Sequence, residues 1–157
     1  MSLSPAIARG LDRLLDRSVV LGYTRIGPAL RRAWWPADPP PDALRGKAVA
    51  VTGANSGLGK ATALGAARLG ADVWMLCRSQ TRAEAARQDI LASVPGANVR
   101  VLTCDVSDLS SIPDVAERLI ERVPKLHALV HNAGVMPPER TESRQGHELC
   151  LATHVLG

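Results

Sequence analysis

The stretch Thr-Gly-Ala-Asn-Ser-Gly-Leu-Gly-Lys, Thr52 to Lys60, carries the first legible chemistry of this 157-residue chain. It follows a short apolar run directly and precedes a helical pattern directly. Gly53 lets the chain turn sharply off a strand, Gly57 removes a side chain where a ligand would approach the backbone, and Gly59 permits close helix–strand packing. The helix start then offers free N–H groups and a partial positive charge to an anion. Thr52, Asn55, Ser56 and Leu58 complete the candidate binding set of this loop. Ala54 to Ala61 nearly spells a nucleoside triphosphate loop, with Gly59-Lys60 in place. That loop needs a hydroxyl immediately after the lysine to hold magnesium; Ala61 has none, and Thr62 comes one residue late. A triphosphate site is therefore not expected.

No metal site is expected either. His127 and His131 lie on or beside one predicted strand, about 13 Å apart at strand rise, and His147 and His154 fall in a later loop and helix. No cysteine or carboxylate completes a ligand set with them. Cys77, Cys104 and Cys150 are odd in number and form no Cys-x-x-Cys, which reads as reduced thiols in an intracellular protein.

The elements that must position the glycine loop recur in a regular order. KAVAVTG, ADVWMLC, NVRVLTC and HALVHNAG are short apolar runs, and helical patterns separate them at Leu58–Leu69, Arg82–Val94 and Asp114–Val123. Thr81-x-x-Glu84 reads as a capping box, and Ser111-x-x-Asp114 as a weaker one with Pro113 in the first turn. Gly70 fits the residue just past a helix end. The alternation predicts an α/β fold with a parallel sheet and right-handed crossovers. A core without phenylalanine, built from Leu, Val, Ile and Ala, suits a sheet buried on both faces.

Charge divides the chain at its N-terminal end. The formal net charge is +4, and residues 1–35 hold all of it: Arg9, Arg13, Arg17, Arg25, Arg31 and Arg32 against Asp12 and Asp16. The remainder has no basic stripe with interleaved aromatics, so no nucleic-acid partner is expected. Leu3, Ile7, Leu11, Leu14 and Leu15 recur at helical spacing within residues 3–33, with Arg9, Arg13 and Arg17 on the other side. AWWPADPPPD then reads as a linker, which gives an amphipathic leader over residues 1–45 and a second domain over 46–157.

Thr-Gly-x-x-x-Gly-x-Gly, then Asp105-Val106 after the third strand, then Asn132-Ala133-Gly134 closing the fourth, resemble the short-chain dehydrogenase/reductase family in content and order. The resemblance runs from Lys47 onward. Within the family, the leader, the linker and the wording ANSGLGKATA look most like the group around dehydrogenase/reductase member twelve. It implies a Rossmann-type doubly wound sheet in the order 3-2-1-4, with this chain as its N-terminal half. It also implies an oxidoreductase that interconverts a carbonyl and an alcohol on a small-molecule substrate. Gly53, Gly57 and Gly59 would cradle the pyrophosphate, Asp105 and Val106 meet the adenine, and Asn132, Ala133 and Gly134 lie near the inner ribose. NAD-preferring members end the second strand with a carboxylate; Cys77 and Arg78 stand here instead. A carboxylate would repel a 2′-phosphate whereas arginine can fork onto it, so NADP(H) is expected over NAD(H).

The chain departs from the family at two places. His154 holds the position of a helix asparagine that supports the family's proton relay, and imidazole can both donate and accept there; a structural histidine is the alternative. No Tyr-x-x-x-Lys occurs, because the single tyrosine, Tyr23, has Gly27 four places on. The expectation is of an N-terminal fragment whose last helix starts near Gly146, with an exposed fourth strand and no catalytic residue of its own. A non-catalytic dinucleotide-binding or regulatory module that docks on a full-length relative is the alternative, and the resemblance admits a homo-oligomer for the full-length product. The leader has three readings: an interfacial helix at a membrane surface, a presequence (which Asp12 and Asp16 oppose), or a helix packed by i,i+3 pairs Arg9–Asp12 and Arg13–Asp16. A cytoplasmic or peripheral-membrane location follows from the first and third.

Overall fold

The structure, a computed structural model, describes residues 4–18 and 24–157. It divides into two compact units, Met1–Asp38 and Pro39–Gly157.

In the first unit, α1 spans Pro5–Arg17 and α2 spans Ile26–Arg31. Among the described residues, the helix expected over residues 3–33 is not continuous: Ser18 is extended at φ −107°, which ends α1. Leu3 and residues 19–23 of that expectation lie outside the described residues. The expected i,i+3 pairs are replaced by a long-range one. Arg31 donates from Nε to Asp12 at 2.7 Å and from Nη2 to Asp16. The two carboxylates sit one turn apart on α1, a spacing that a single guanidinium fork can span. Ile7, Leu11 and Leu14 of the apolar stripe are exposed, and Leu15 is buried. Among the described residues no helix is long and apolar enough to cross a membrane.

In the second unit β1 (Ala48–Thr52), α3 (Gly57–Arg68), β2 (Asp72–Cys77), α4 (Gln80–Ser93), β3 (Val99–Thr103), α5 (Ile112–Arg122) and β4 (Leu126–Val130) follow one another. All strand pairs are parallel, in the order β3-β2-β1-β4. This is the parallel sheet the alternation predicts, in the order the resemblance implies. In β1 and β2 successive side chains point to opposite faces and both faces are covered, which explains why these two runs are almost wholly apolar. Val49, Val51, Val73 and Met75 pack on Ala63, Ala66 and Ala67 of α3 and on Ala83, Ala86 and Ile90 of α4. Ala50, Trp74, Leu76 and Leu102 face the other way, onto Val115 and Leu119 of α5. Alanines on α3 and α4 let both helices approach closely. Trp74 is only 2% exposed. Arg100, held to both carboxylate oxygens of Asp72 at 2.8 Å, stands 5.0 Å from its ring centroid. β3 and β4 are the edge strands, and Leu129 of β4 is exposed.

Helix ends bear out one expectation and revise three. Gly70 takes φ +83° just past α3, and the Leu44 amide donates to the Leu69 carbonyl at 2.8 Å. Ser79, not Thr81, caps α4, through its hydroxyl and the Arg82 amide. Glu84 instead pairs with Arg87 and Gln88 inside the helix. Ser111 makes no side-chain cap for α5; its hydroxyl donates to the carbonyls of Asp105 and Asp108. The last helix, α6, begins at Leu149 rather than Gly146, and continues as a π-helical turn over Ala152–Leu156. Gly146 at φ +77° closes a turn back to Ser143, and Glu148 caps the helix by accepting from the amides of Cys150 (2.9 Å) and Leu151 (2.8 Å).

Candidate functional site

A cavity of about 390 Å³ opens at the carboxyl ends of the strands, where β1 passes through the glycine loop into α3. Open parallel sheets place ligands at this point, where neighbouring connections leave in opposite directions. Gly53 turns off β1 at φ +66°, its amide donating to the Leu76 carbonyl at 2.8 Å. A Cβ there would lie 2.9 Å from the Ala133 Cα, and one at Gly59 would lie 2.5 Å from the Gly53 carbonyl oxygen. Both glycines are therefore required by the crossing of loop, helix and the Asn132–Gly134 segment. Gly57, at φ +52° with nothing within 4 Å of its would-be Cβ, faces open space. Ser56 precedes α3 without a side-chain cap, so the first-turn amides of the helix remain for an anion.

Asn132 fastens this arrangement. Its Nδ2 donates to the carbonyls of Thr52 at 3.0 Å and Gly53 at 3.4 Å. Thr52 answers with a hydroxyl that accepts from the amides of Asn132 and Ala133, both at 3.0 Å. Thr52 lines a smaller adjoining recess rather than this cavity. It is 6% exposed, and its hydroxyl is consumed in joining β1 to the chain leaving β4.

The other residues of the expected set all line the cavity: Gly53, Asn55, Ser56, Gly57, Leu58, Gly59, Arg78, Asp105, Val106, Asn132, Ala133 and Gly134. Asp105 is held in an Asx turn, its Oδ1 accepting from the Ser107 amide at 3.0 Å and hydroxyl at 2.7 Å. Arg82 and Thr153 also line it, and the sequence reading missed both. Arg82 had a signal, since it stands four residues after Arg78 at the start of α4 and so reaches the same side. Neither guanidinium forms an ion pair among the described residues. Thr153 had no signal, because its position depends on the path of residues 131–148.

Cys77, in the place of the absent carboxylate, is buried. Burial pushes its thiol above the usual value, partly offset by backbone hydrogen bonds from Ala54 and Asn55. Burial and the neighbouring Asp105 charge push Cys104 the same way.

His154 lies outside the main cavity. Its Nε2 accepts from the Val135 amide, and a Cβ at Gly134 would stand 3.1 Å from that nitrogen. His127 is engaged in the sheet, its Nδ1 accepting from the Ala48 amide at 3.0 Å where the β1–β4 register shifts. Among the described residues no cluster of three His, Cys, Asp or Glu side chains is placed to hold a metal ion. Beyond the cavity, Asp108 anchors the segment before α6. It accepts from the Ser110 amide (3.2 Å) and hydroxyl (2.6 Å), from Gln145 at 2.8 Å and from Arg144 at 3.0 Å. Those donors, Ser110 foremost, hold its carboxyl well below the usual carboxylate range.

The short chain dehydrogenase family model matches residues 47–154. Mouse (Mus musculus) retinol dehydrogenase 12 is 41% identical over 114 residues, covering 73% of this chain and 36% of its own. An uncharacterised oxidoreductase of Schizosaccharomyces pombe is 33% identical over 148 residues, covering 94% of this chain and 43% of its own. This chain therefore spans well under half the length of either relative. Among solved structures, a metagenomic short-chain oxidoreductase in complex with NADP superimposes with a TM-score of 0.55 at 30% identity, over 61% of this chain and 47% of that one. The glycine cradle, the Asn132–Gly134 strap and the sheet order that carries them place this chain in the short-chain dehydrogenase/reductase family.

Proposed function

We propose that the chain is the cofactor-binding half of an NADP(H)-dependent oxidoreductase that interconverts a carbonyl and an alcohol. The observation that carries the cofactor choice is that Arg78 and Arg82 both line the cavity, beside a β2 end that bears Cys77 in place of a carboxylate. In this reading the α3 amides and the three glycines seat the pyrophosphate. The two guanidinium groups take the 2′-phosphate, Asp105 and Val106 flank the adenine, and Asn132 to Gly134 support the inner ribose. The bound nicotinamide supplies hydride transfer. The chain's own residues orient it and keep the adenosine end in place. NADP bound to the metagenomic relative supports the reading. Serine, tyrosine and lysine of the family's acid–base chemistry belong, in this proposal, to sequence outside residues 47–154.

Titration of NADPH and NADH into the full-length protein tests it. NADPH should bind roughly tenfold or more tightly, the strength of a charge-assisted contact. Arg78→Gln should remove most of that preference, and Arg78→Gln with Arg82→Gln the rest. Equal affinities in the wild type would refute the NADP(H) assignment. Tight binding without turnover of any carbonyl would favour a docking module instead.

For the leader, the exposed Ile7, Leu11 and Leu14 on a helix bearing Arg9, Arg13 and Arg17 favour contact with an anionic membrane surface. Co-sedimentation with phosphatidylserine vesicles, lost in Leu14→Asp, is the expected result.

A further inference from the structure

Gly134 and Val135 line the cavity where the chain leaves β4. α6 and its π-helical turn hold Val135 by both of its peptide groups. The Val135 amide donates to His154 Nε2 at 2.9 Å, and the Val135 carbonyl accepts from the Cys150 thiol at 3.5 Å. Cys150 and His154 stand four residues apart, the spacing that puts two side chains on one helical face. A Cβ built at Gly134 would stand 3.1 Å from the same imidazole nitrogen, so the ring rests against both cavity residues.

The other ties of this segment keep their form near neutral pH. The Asn132 amide group donates to the Thr52 and Gly53 carbonyls, and the Thr52 hydroxyl serves the Asn132 and Ala133 amides. Burial and the neighbouring Glu148 push the Cys150 thiol above its usual value, so it stays a donor. His154 is different, because histidine is the side chain that changes charge between about pH 5 and 8. Protonated on both nitrogens, its ring turns from an acceptor into a donor that faces another donor, and the bond to Val135 is lost. His131 lines the same recess from the β4 exit; Thr52, Val106, Ala133, Thr153, Val155 and Gly157, which complete it, carry no titrating side chain. At the β3 exit the Asp105 carboxylate is turned onto Ser107, and on α6 the Glu148 carboxylate is turned onto the amides of Cys150 and Leu151.

We propose that His154 is a positioning residue for the cofactor site, holding Gly134 and Val135 in place only while its imidazole is neutral, so that dinucleotide binding weakens as the pH falls. The proposal rests on the NADP(H) reading above and gives that site an acid-sensitive regulator. His154→Gln keeps an acceptor that does not titrate; His131→Gln removes the other imidazole of the recess.

Isothermal titration of the full-length protein with NADP+ at about pH 5.5 and about pH 8, together with NMR of the ligand-free Val135 amide over that range, tests it. The ratio of the two affinities, high pH over low, should be about fivefold larger in the wild type than in His154→Gln, in the range of one neutral hydrogen bond. Titration of the ligand's own 2′-phosphate is common to both proteins and cancels in the comparison. His131→Gln should keep the wild-type ratio. The Val135 amide resonance should move with pH in the wild type and in His131→Gln, and stay in place in His154→Gln. Equal ratios in the wild type and His154→Gln overturn the proposal, whether or not the Val135 resonance moves. A ratio lost in His131→Gln overturns it too, because the other imidazole would then be the sensor. If the wild type binds NADP+ at neither pH, the cofactor reading itself falls, and this assignment with it.

Discussion

His154 Nε2 accepts the Val135 amide hydrogen at 2.9 Å, which ties the turn after α6 to the chain leaving β4. An accepting Nε2 requires the neutral imidazole with its proton on Nδ1. The His154 side chain therefore holds two backbone segments together. His154→Phe should lower stability by about 1 kcal/mol, the net worth of one such bond. His154→Asn, which keeps an acceptor, should retain most of it. Urea denaturation followed by circular dichroism reads the difference, and equal losses in both variants would show that the contact carries none of the stability.

Thr52 is the second strap. Thr52→Val removes the oxygen that serves the Asn132 and Ala133 amides and should cost about 1–3 kcal/mol for leaving them unpaired. Thr52→Ser should cost less than about 1 kcal/mol. A valine variant as stable as the serine one would mean that water replaces the lost acceptor.

Two glycines of one loop should respond differently. At Gly59 a methyl collides with the Gly53 carbonyl, so Gly59→Ala should destabilise the unit by about 1–3 kcal/mol. Gly57→Ala meets no neighbour, and its cost is the left-handed backbone, about 1–2 kcal/mol. The sharper contrast is in binding. The Gly57 methyl projects where the phosphate is proposed to sit, and NADPH affinity should fall further in Gly57→Ala than its stability loss suggests. Calorimetric titration of both variants checks the order.

Asp108 makes stability depend on pH. Its carboxyl binds a proton less readily in the folded chain than in the unfolded one. The stabilisation is complete above the ordinary carboxylate value, near about 4, and is lost as pH falls below it toward the depressed folded value. Asp108→Asn should lower the melting point at neutral pH and flatten the melting curve's acid slope. An unchanged acid slope would assign the acid sensitivity to other carboxylates.

The sheet could be read from the sequence because each strand is a short apolar run between helical patterns, and a strand buried on both faces needs no alternation. The glycine loop was legible for the same reason: its spacing is local. What escaped depended on contacts between distant segments. Ser79 and Thr81 are both plausible caps by type, and only the trajectory leaving β2 decides for Ser79. Asp12 and Asp16 have arginines three residues before them, yet both pair with Arg31 across a break in the helix. Thr52 adjoins the glycine loop, yet its hydroxyl serves the Asn132 and Ala133 amides, a contact between segments eighty residues apart. Thr153 entered the cavity only through the fold of residues 131–148.

The buried Trp74 has a spectroscopic consequence. Of three tryptophans, Trp34 and Trp35 belong to the first compact unit and Trp74 alone to the second. Its indole is shielded from water, so its emission should lie to the blue of Trp35, which is exposed. With Trp34 and Trp35 changed to phenylalanine, the remaining fluorophore becomes a native optical reporter for the Rossmann unit. Its red shift on denaturation would time the opening of the β2–α5 layer without an attached dye.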